Sequence, residues 1–125
     1  EMLLQESDIV SIHLAPSEST SHFMNTQTLG LMKEHAILIN TSRGTVIDES
    51  SLYEALVSGV IGGAILDVYE KEPYIGPLTT LENVLLTAHI GAATTETRIQ
   101  MEVGAVEEMV RFHKGQPLLN PVDHN

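Results

Sequence analysis

The sequence contains no cysteine, which rules out disulfides, cysteine metal ligands and a cysteine nucleophile. It also fits a cytoplasmic protein. Cations are scarce: Lys33, Arg43, Lys71, Arg98, Arg111 and Lys114 stand against 17 acidic residues, for a net charge of −11. That balance repels phosphate backbones and anionic lipid, so neither nucleic acid nor membrane is expected as a partner. A small anionic substrate would need one of these six side chains as a local cation. No apolar run approaches a membrane span, and Glu1-Met2-Leu3-Leu4 lacks the basic stretch of a signal peptide. The chain opens without an initiator methionine and reads as starting at the end of a helix. Repeats, low-complexity tracts and linkers are absent. What is present, 42% hydrophobic and 18% charged residues, suits a folded globular chain. Its 125 residues make one domain at most, large enough to bury roughly two-thirds of its unfolded surface.

Four short apolar runs stand out: Ile9 to Leu14, Ala36 to Ile39, Ala64 to Val68, and Val84 to Leu86. The second and third barely alternate, the pattern of strands buried on both faces of a parallel sheet. Helical stretches separate them. Asp48 is an N-cap for a helix from Glu49 to Ser58, with Leu52, Ala55 and Leu56 on its apolar face and Gly59 as its stop. A shorter helix is expected from Thr26 to Lys33. The longest should run from Thr95 to Lys114 and end at Gly115-Gln116-Pro117. On it, Ile99, Val103, Val106 and Val110 make one stripe, and Met101, Ala105, Met109 and Phe112 a second. A helix apolar on two sides needs two partners, expected to be the sheet and a further domain or subunit. The segment from Tyr69 to Asn83 reads as a loop with room for a short helix. The order β-α-β-α-β-β-α on a parallel or mostly parallel sheet is half of a doubly wound, nucleotide-binding fold.

Ligands of open α/β sheets bind outside the carboxyl ends of the strands. Here the first strand runs into His13 and Ala15-Pro16-Ser17, and the second into Asn40-Thr41-Ser42-Arg43-Gly44. The third ends in Asp67 with Glu70 and Glu72 beyond, and the fourth in Thr87-Ala88-His89. One cation, one imidazole and nearby carboxylates make an acid–base site. Each also has a plainer structural reading. Arg43, before a glycine in a turn, suits a helix cap or a pair with Asp48, and Asp67 a bond to loop amides. Glu70 and Glu72 suit a solvated surface, and His89 a packed ring. No metal site is expected.

These residues resemble the D-isomer-specific 2-hydroxyacid dehydrogenases. The likeness covers nearly the whole chain. Its strongest stretch runs from Met32-Lys33 through Ile37-Leu38-Ile39-Asn40-Thr41-Ser42-Arg43-Gly44 and continues into Asp48-Glu49. It resumes at Gly62-Gly63-Ala64-Ile65-Leu66-Asp67-Val68-Tyr69-Glu70-Lys71-Glu72-Pro73, at Thr87-Ala88-His89-Ile90-Gly91-Ala92, and at Thr97-Arg98. Three separate signatures in the right order are far more specific than one short motif. The resemblance implies the C-terminal half of a Rossmann-like doubly wound parallel sheet, a three-layer α/β/α architecture, with NAD as cofactor. Residues 1–115 would be the partial NAD-binding domain. The 116–125 tail would return, through Pro117 to Val122, toward a substrate domain.

The resemblance also implies roles. Arg43 would bind the substrate carboxylate and help polarise the carbonyl. His89 would be the acid–base group, and Glu72 would pair with it and keep it protonated at the right moment. Asp67 would face the nicotinamide carboxamide. Thr41, Ser42 and Arg43, with the backbone from His89 to Gly91, would line the nicotinamide pocket. His13 and the turn after it would border the adenosine, with Thr20 a lesser candidate. Hydride transfer builds negative charge on a carbonyl oxygen, which a proton donor and a cation stabilise.

The sequence departs from the family pattern in places. Ala15 stands where the family has proline after the first strand, and Pro16 follows one later. Ala88 replaces a common proline before the histidine, with an expected effect on loop stiffness. No G-x-G-x-x-G loop is present. Gly59-Val60-Ile61-Gly62-Gly63 leads into a strand, the wrong context for it, and the acid that would hold the adenosine ribose is missing too. The chain alone is therefore expected to be inactive, its active site lying between domains when intact. The stretch from Glu72 to Leu78 leans toward phosphoglycerate dehydrogenase-like members, with 3-phosphoglycerate as one substrate. Glyoxylate, hydroxypyruvate and lactate-type substrates stay open. Formate dehydrogenases of this fold pair their histidine with glutamine, against which Glu72 argues. Two other readings stand beside the enzyme: an NAD-sensing co-repressor-like interaction module, and an inactive truncated fragment. A homodimer would cover the apolar faces of the last helix.

Overall fold

The computed structural model describes residues 1–121 and divides the chain into two compact units, one of residues 1–90 and one from residue 91 onward. The first unit runs α1 (Met2–Glu6), β1 (Ile9–Ile12), α2 (Thr26–Leu29), β2 (Ile37–Asn40), a 3₁₀ turn (Gly44–Val46), α3 (Glu49–Val57), β3 (Gly63–Leu66), a 3₁₀ turn (Pro77–Thr80) and β4 (Val84–Leu86). All four strands are parallel, in the order β1-β2-β3-β4. This is a Rossmann-like α/β fold. All four expected strands and both expected crossover helices are present. The loop from Tyr69 to Asn83 contains the short helical turn expected of it, as the 3₁₀ turn.

Local chemistry explains the element ends. Asp48 caps α3, its Oδ1 accepting from the amides of Ser50 at 3.0 Å and Ser51 at 3.1 Å. Gly59 takes the left-handed conformation (φ +73) that stops the chain there. The helix expected from Thr26 to Lys33 is only four residues long. Asn25 and Thr28 cap each other reciprocally at its start. Beyond Gly30, the bonds from Leu31 N to Thr28 O and from Met32 N to Leu29 O reach back only three residues, tightening the chain into turns.

The register puts Val10, Leu38 and Ala64 in one row and Ile12, Asn40 and Leu66 in the next. Their apolar members are buried in one cluster with Leu29, Met32, Leu52, Ala55, Leu56 and Leu78 from the connecting segments. Full burial of each large aliphatic side chain contributes roughly 1.5–3 kcal/mol. The expectation that β2 and β3 are buried on both faces is not met. Ile37, Ile39 and Ile65 on the other face are half-buried, and Ile9 and Leu85 are exposed. The strand order supplies the reason. Strands added in one direction by right-handed crossovers receive all their connections on the same face.

The second unit contains α4 (Thr95–His113), capped by Thr94 Oγ1, which accepts from the Thr97 amide at 3.2 Å, and followed by Gly115 at φ +66. Both apolar stripes are exposed and no residue of the helix is buried. The Leu119 amide bonds the Glu108 carboxylate at 3.1 Å, which folds the start of the tail back on the helix. Of the tail expected over residues 116–125, including Val122, residues 122–125 lie outside the described residues.

Candidate active site

The loop after β2 is wound around one side chain. Asn40 is fully buried. Its Oδ1 accepts from the Ser42 amide at 3.0 Å and the Ser42 hydroxyl at 2.8 Å, and its Nδ2 donates to the Arg43 carbonyl at 2.9 Å. Thr41 and Arg43 are exposed on this loop. Arg43 does not pair with Asp48, which serves α3. Its Nη1 donates to the Ser42 carbonyl at 2.7 Å. Gly44, the next residue, is pressed against the loop after β3: a Cβ there would lie 1.8 Å from the Tyr69 carbonyl carbon. Only glycine permits this approach without a backbone shift.

Asp67, 6% exposed, ties the loop after β3 to the one after β4. Its Oδ1 accepts from the Thr87 hydroxyl at 2.5 Å and the Ile90 amide at 2.9 Å. The plainer reading of Asp67 as an acceptor for loop amides therefore holds. These bonds straddle Ala88 and His89, and His89 sits at φ +54. That conformation costs a non-glycine residue on the order of 1–3 kcal/mol and collects at functional sites. His89 Nδ1 lies 2.9 Å and 3.1 Å from the two Glu72 carboxylate oxygens. Glu72 Oε1 also accepts from the Tyr69 amide at 3.2 Å. The His89 hydrogen bond, then the Tyr69 amide, hold the Glu72 carboxyl below the usual range. Glu72 thus stays a carboxylate and receives Nδ1–H, leaving Nε2 as the ring nitrogen able to meet a substrate.

Glu70 serves a different network. It pairs with His22 at 2.7 Å, and its amide donates to Glu49 at 2.8 Å; burial pushes the Glu49 carboxyl up. Beside Glu72 opens a cavity of about 560 Å³ walled by Tyr69, Pro73, Tyr74, Leu86 and Thr87 among others. The sheet order separates β2, which leads to Arg43, from β4, which leads to His89, by two strand spacings, roughly 10 Å. His13, just beyond the far edge strand, is three spacings away, roughly 14 Å. It is exposed and engaged locally with Ser11 at 2.9 Å. Thr20 holds its own loop, donating to the Ala15 carbonyl at 2.7 Å. Gly91 opens the second unit and is described with it. Among the described residues, no group of three or more histidines and carboxylates is placed to hold a metal ion.

Sequence reasoning missed the supporting residues. Asn40 had a readable signal, since an asparagine ending an apolar run before turn residues bonds its own turn backbone. The hydroxyls of Thr87 and Tyr69 had none.

Residues 1–91 match the family model described as D-isomer specific 2-hydroxyacid dehydrogenase, NAD binding domain. The chain belongs to this family. It is 47% identical over 118 residues to a glyoxylate reductase from Korarchaeum cryptofilum, covering 93% of this chain and 36% of that protein. It is 37% identical over 125 residues to a D-3-phosphoglycerate dehydrogenase from Archaeoglobus fulgidus, covering 98% of this chain and 24% of that protein. The crystal structure of a glyoxylate reductase from Paecilomyes thermophila superposes with a TM-score of 0.91 at 39% identity, over 97% of this chain and 37% of that one. The chain thus spans about a third, or less, of the length of these relatives. Among the described residues, no helix is long and apolar enough to cross a membrane.

Proposed function

We propose that Arg43, Glu72 and His89 are the catalytic residues of an NAD-dependent oxidoreductase that interconverts a 2-keto acid and a D-2-hydroxy acid. The observation that carries this reading is the Glu72–His89 pair at 2.9 Å, in a loop that holds the histidine in a left-handed backbone. His89 Nε2 would donate a proton to the substrate carbonyl oxygen in reduction and take it from the hydroxyl in oxidation. Glu72 would hold the ring by Nδ1 and balance its positive charge. Arg43 would take the substrate carboxylate and favour negative charge on the adjoining carbonyl oxygen.

The residues at this edge fit the nicotinamide end of NAD. A carboxylate from Asp67, the hydroxyls of Thr41 and Ser42, and the amides around His89 suit a carboxamide, which both donates and accepts. Gly91 and His13 remain proposed contacts, His13 on the adenosine side. When bound, the nicotinamide supplies or takes up the hydride. For the substrate we favour glyoxylate or a similarly small 2-keto acid over 3-phosphoglycerate, since the glyoxylate reductase relative is the more similar of the two (47% against 37% identity). A homodimer and a cytoplasmic setting belong to the same proposal, supported by the exposed apolar stripes of α4 and the cysteine-free sequence.

The test is glyoxylate reduction by NADH in the protein at its full coded length, with Arg43→Gln alongside. A hydrogen bond to a charged group is worth ~1.5–3 kcal/mol, so kcat/KM should fall about 10- to 100-fold. An unchanged kcat/KM would remove Arg43 from the site. Absence of turnover with any 2-keto acid, while NADH still binds, would favour an NAD-sensing interaction module.

A further inference from the structure

Tyr69 sits three residues beyond the end of β3, is 8% exposed, and reaches in three directions. Its ring stacks on Tyr74 with centroids 4.7 Å apart and planes 20° from parallel. Its amide donates to Glu72 Oε1 at 3.2 Å. Its hydroxyl lies 2.7 Å from the Thr87 carbonyl oxygen and 3.1 Å from the Leu66 carbonyl oxygen. A phenol carries one proton and both neighbours only accept, so the hydroxyl is the donor, principally to the nearer Thr87. Burial, then the charge of Asp67, push the phenol's pKa up, so the donor stays protonated at neutral pH.

Thr87 stands two residues before His89. Its amide bonds the Leu66 carbonyl at 2.9 Å, its hydroxyl bonds Asp67, and its carbonyl takes the Tyr69 proton. Ala88 follows with only a methyl group and, unlike a proline, leaves its own φ free. The Thr87 carbonyl, two residues before the left-handed turn at His89, is thus held by Tyr69.

We propose that Tyr69 is a positioning residue for the Glu72–His89 pair. Through its amide it orients the carboxylate, and through its hydroxyl it fixes the backbone leading to the histidine. The two members, 17 residues apart in sequence, are thereby registered on one residue. The functional meaning of this role rests on the proposed proton transfer by His89, whereas the registration itself can be measured without turnover.

Tyr69→Phe tests it, because the ring, its stack on Tyr74 and the amide all remain and only the hydroxyl is lost. In the chain labelled at glutamate carboxyl carbons, NMR titration of the unaltered protein should place Glu72 below the ordinary glutamate value. In Tyr69→Phe that midpoint should rise toward the ordinary value, and the Ile90 amide should exchange about five-fold faster, the worth of one hydrogen bond near 1 kcal/mol. Tyr53→Phe, on α3, should change neither. A folded Tyr69→Phe variant with an unaltered Glu72 midpoint and unaltered exchange would reduce Tyr69 to packing and overturn the proposal. At full coded length the same variant should lower kcat with little change in KM. If the unaltered protein turns over no 2-keto acid, the proposed function fails while the NMR result still decides the role of Tyr69.

Discussion

Replacing Asn40 with alanine removes three hydrogen bonds at once, to the Ser42 amide, the Ser42 hydroxyl and the Arg43 carbonyl. At about 1 kcal/mol each, the gross loss is about 3 kcal/mol. Some of it is recovered, because Ser42 is half-buried and Arg43 exposed, so water can reach the released groups. The Asn40 site itself is fully buried, so alanine leaves a cavity there in place of the amide. A net cost of about 2 kcal/mol follows, which for a unit of this size lowers Tm by about 10 °C. Thermal unfolding followed by far-UV circular dichroism at pH 7 reads this directly. Ser42→Ala is the comparison, since it loses only one of the three bonds and should cost about 1 kcal/mol or less. A shift for Asn40→Ala no larger than that of Ser42→Ala would refute the view that this loop is wound around the Asn40 amide. At full coded length, Asn40→Ala should also raise KM for the keto acid, because the carbonyl it anchors is that of Arg43.

Two further outcomes are expected. Gly44→Ala places a methyl group 1.8 Å from the Tyr69 carbonyl carbon, so one of two backbone loops must move; overpacking of this kind costs ~1–3 kcal/mol or more, read as a lowered urea midpoint with unchanged slope. Glu49→Gln tests an electrostatic cost. Burial raises the Glu49 carboxyl from its usual 4.5, so its contribution to stability is fully present below that value and is lost as pH rises through the raised one. Glutamine stays neutral and still accepts the Glu70 amide. The variant should therefore melt above the unaltered chain at pH 7, with the gap closing near pH 4.

Much of the fold was legible because short-range chemistry governs it. Asp48 before an apolar-faced segment and Gly59 after it marked α3 to within a residue, and the same reasoning placed α4. The sequence erred where context decides. Gly30 and a local capping box cut α2 to one turn. The apolar runs of β2 and β3 concealed that only one face would be packed. At the site, the positions of Arg43, Asp67, Glu72 and His89 at strand ends followed from parallel topology alone, and the pairing of Glu72 with His89 came from resemblance. The supporting bonds of Thr87 and Tyr69 were invisible, since a hydroxyl finds its acceptor only once two distant strand ends are neighbours.

The most direct test of the proposed chemistry is NADH-dependent reduction of glyoxylate by the protein at its full coded length, comparing His89→Asn with the unaltered protein. Positioned proton transfer contributes ~10²–10⁴-fold, so His89→Asn should lose at least about a hundred-fold in kcat while NADH binding is retained. Turnover within a few-fold of the unaltered protein would contradict the assignment of His89 as the acid–base group, and with it the proposed mechanism.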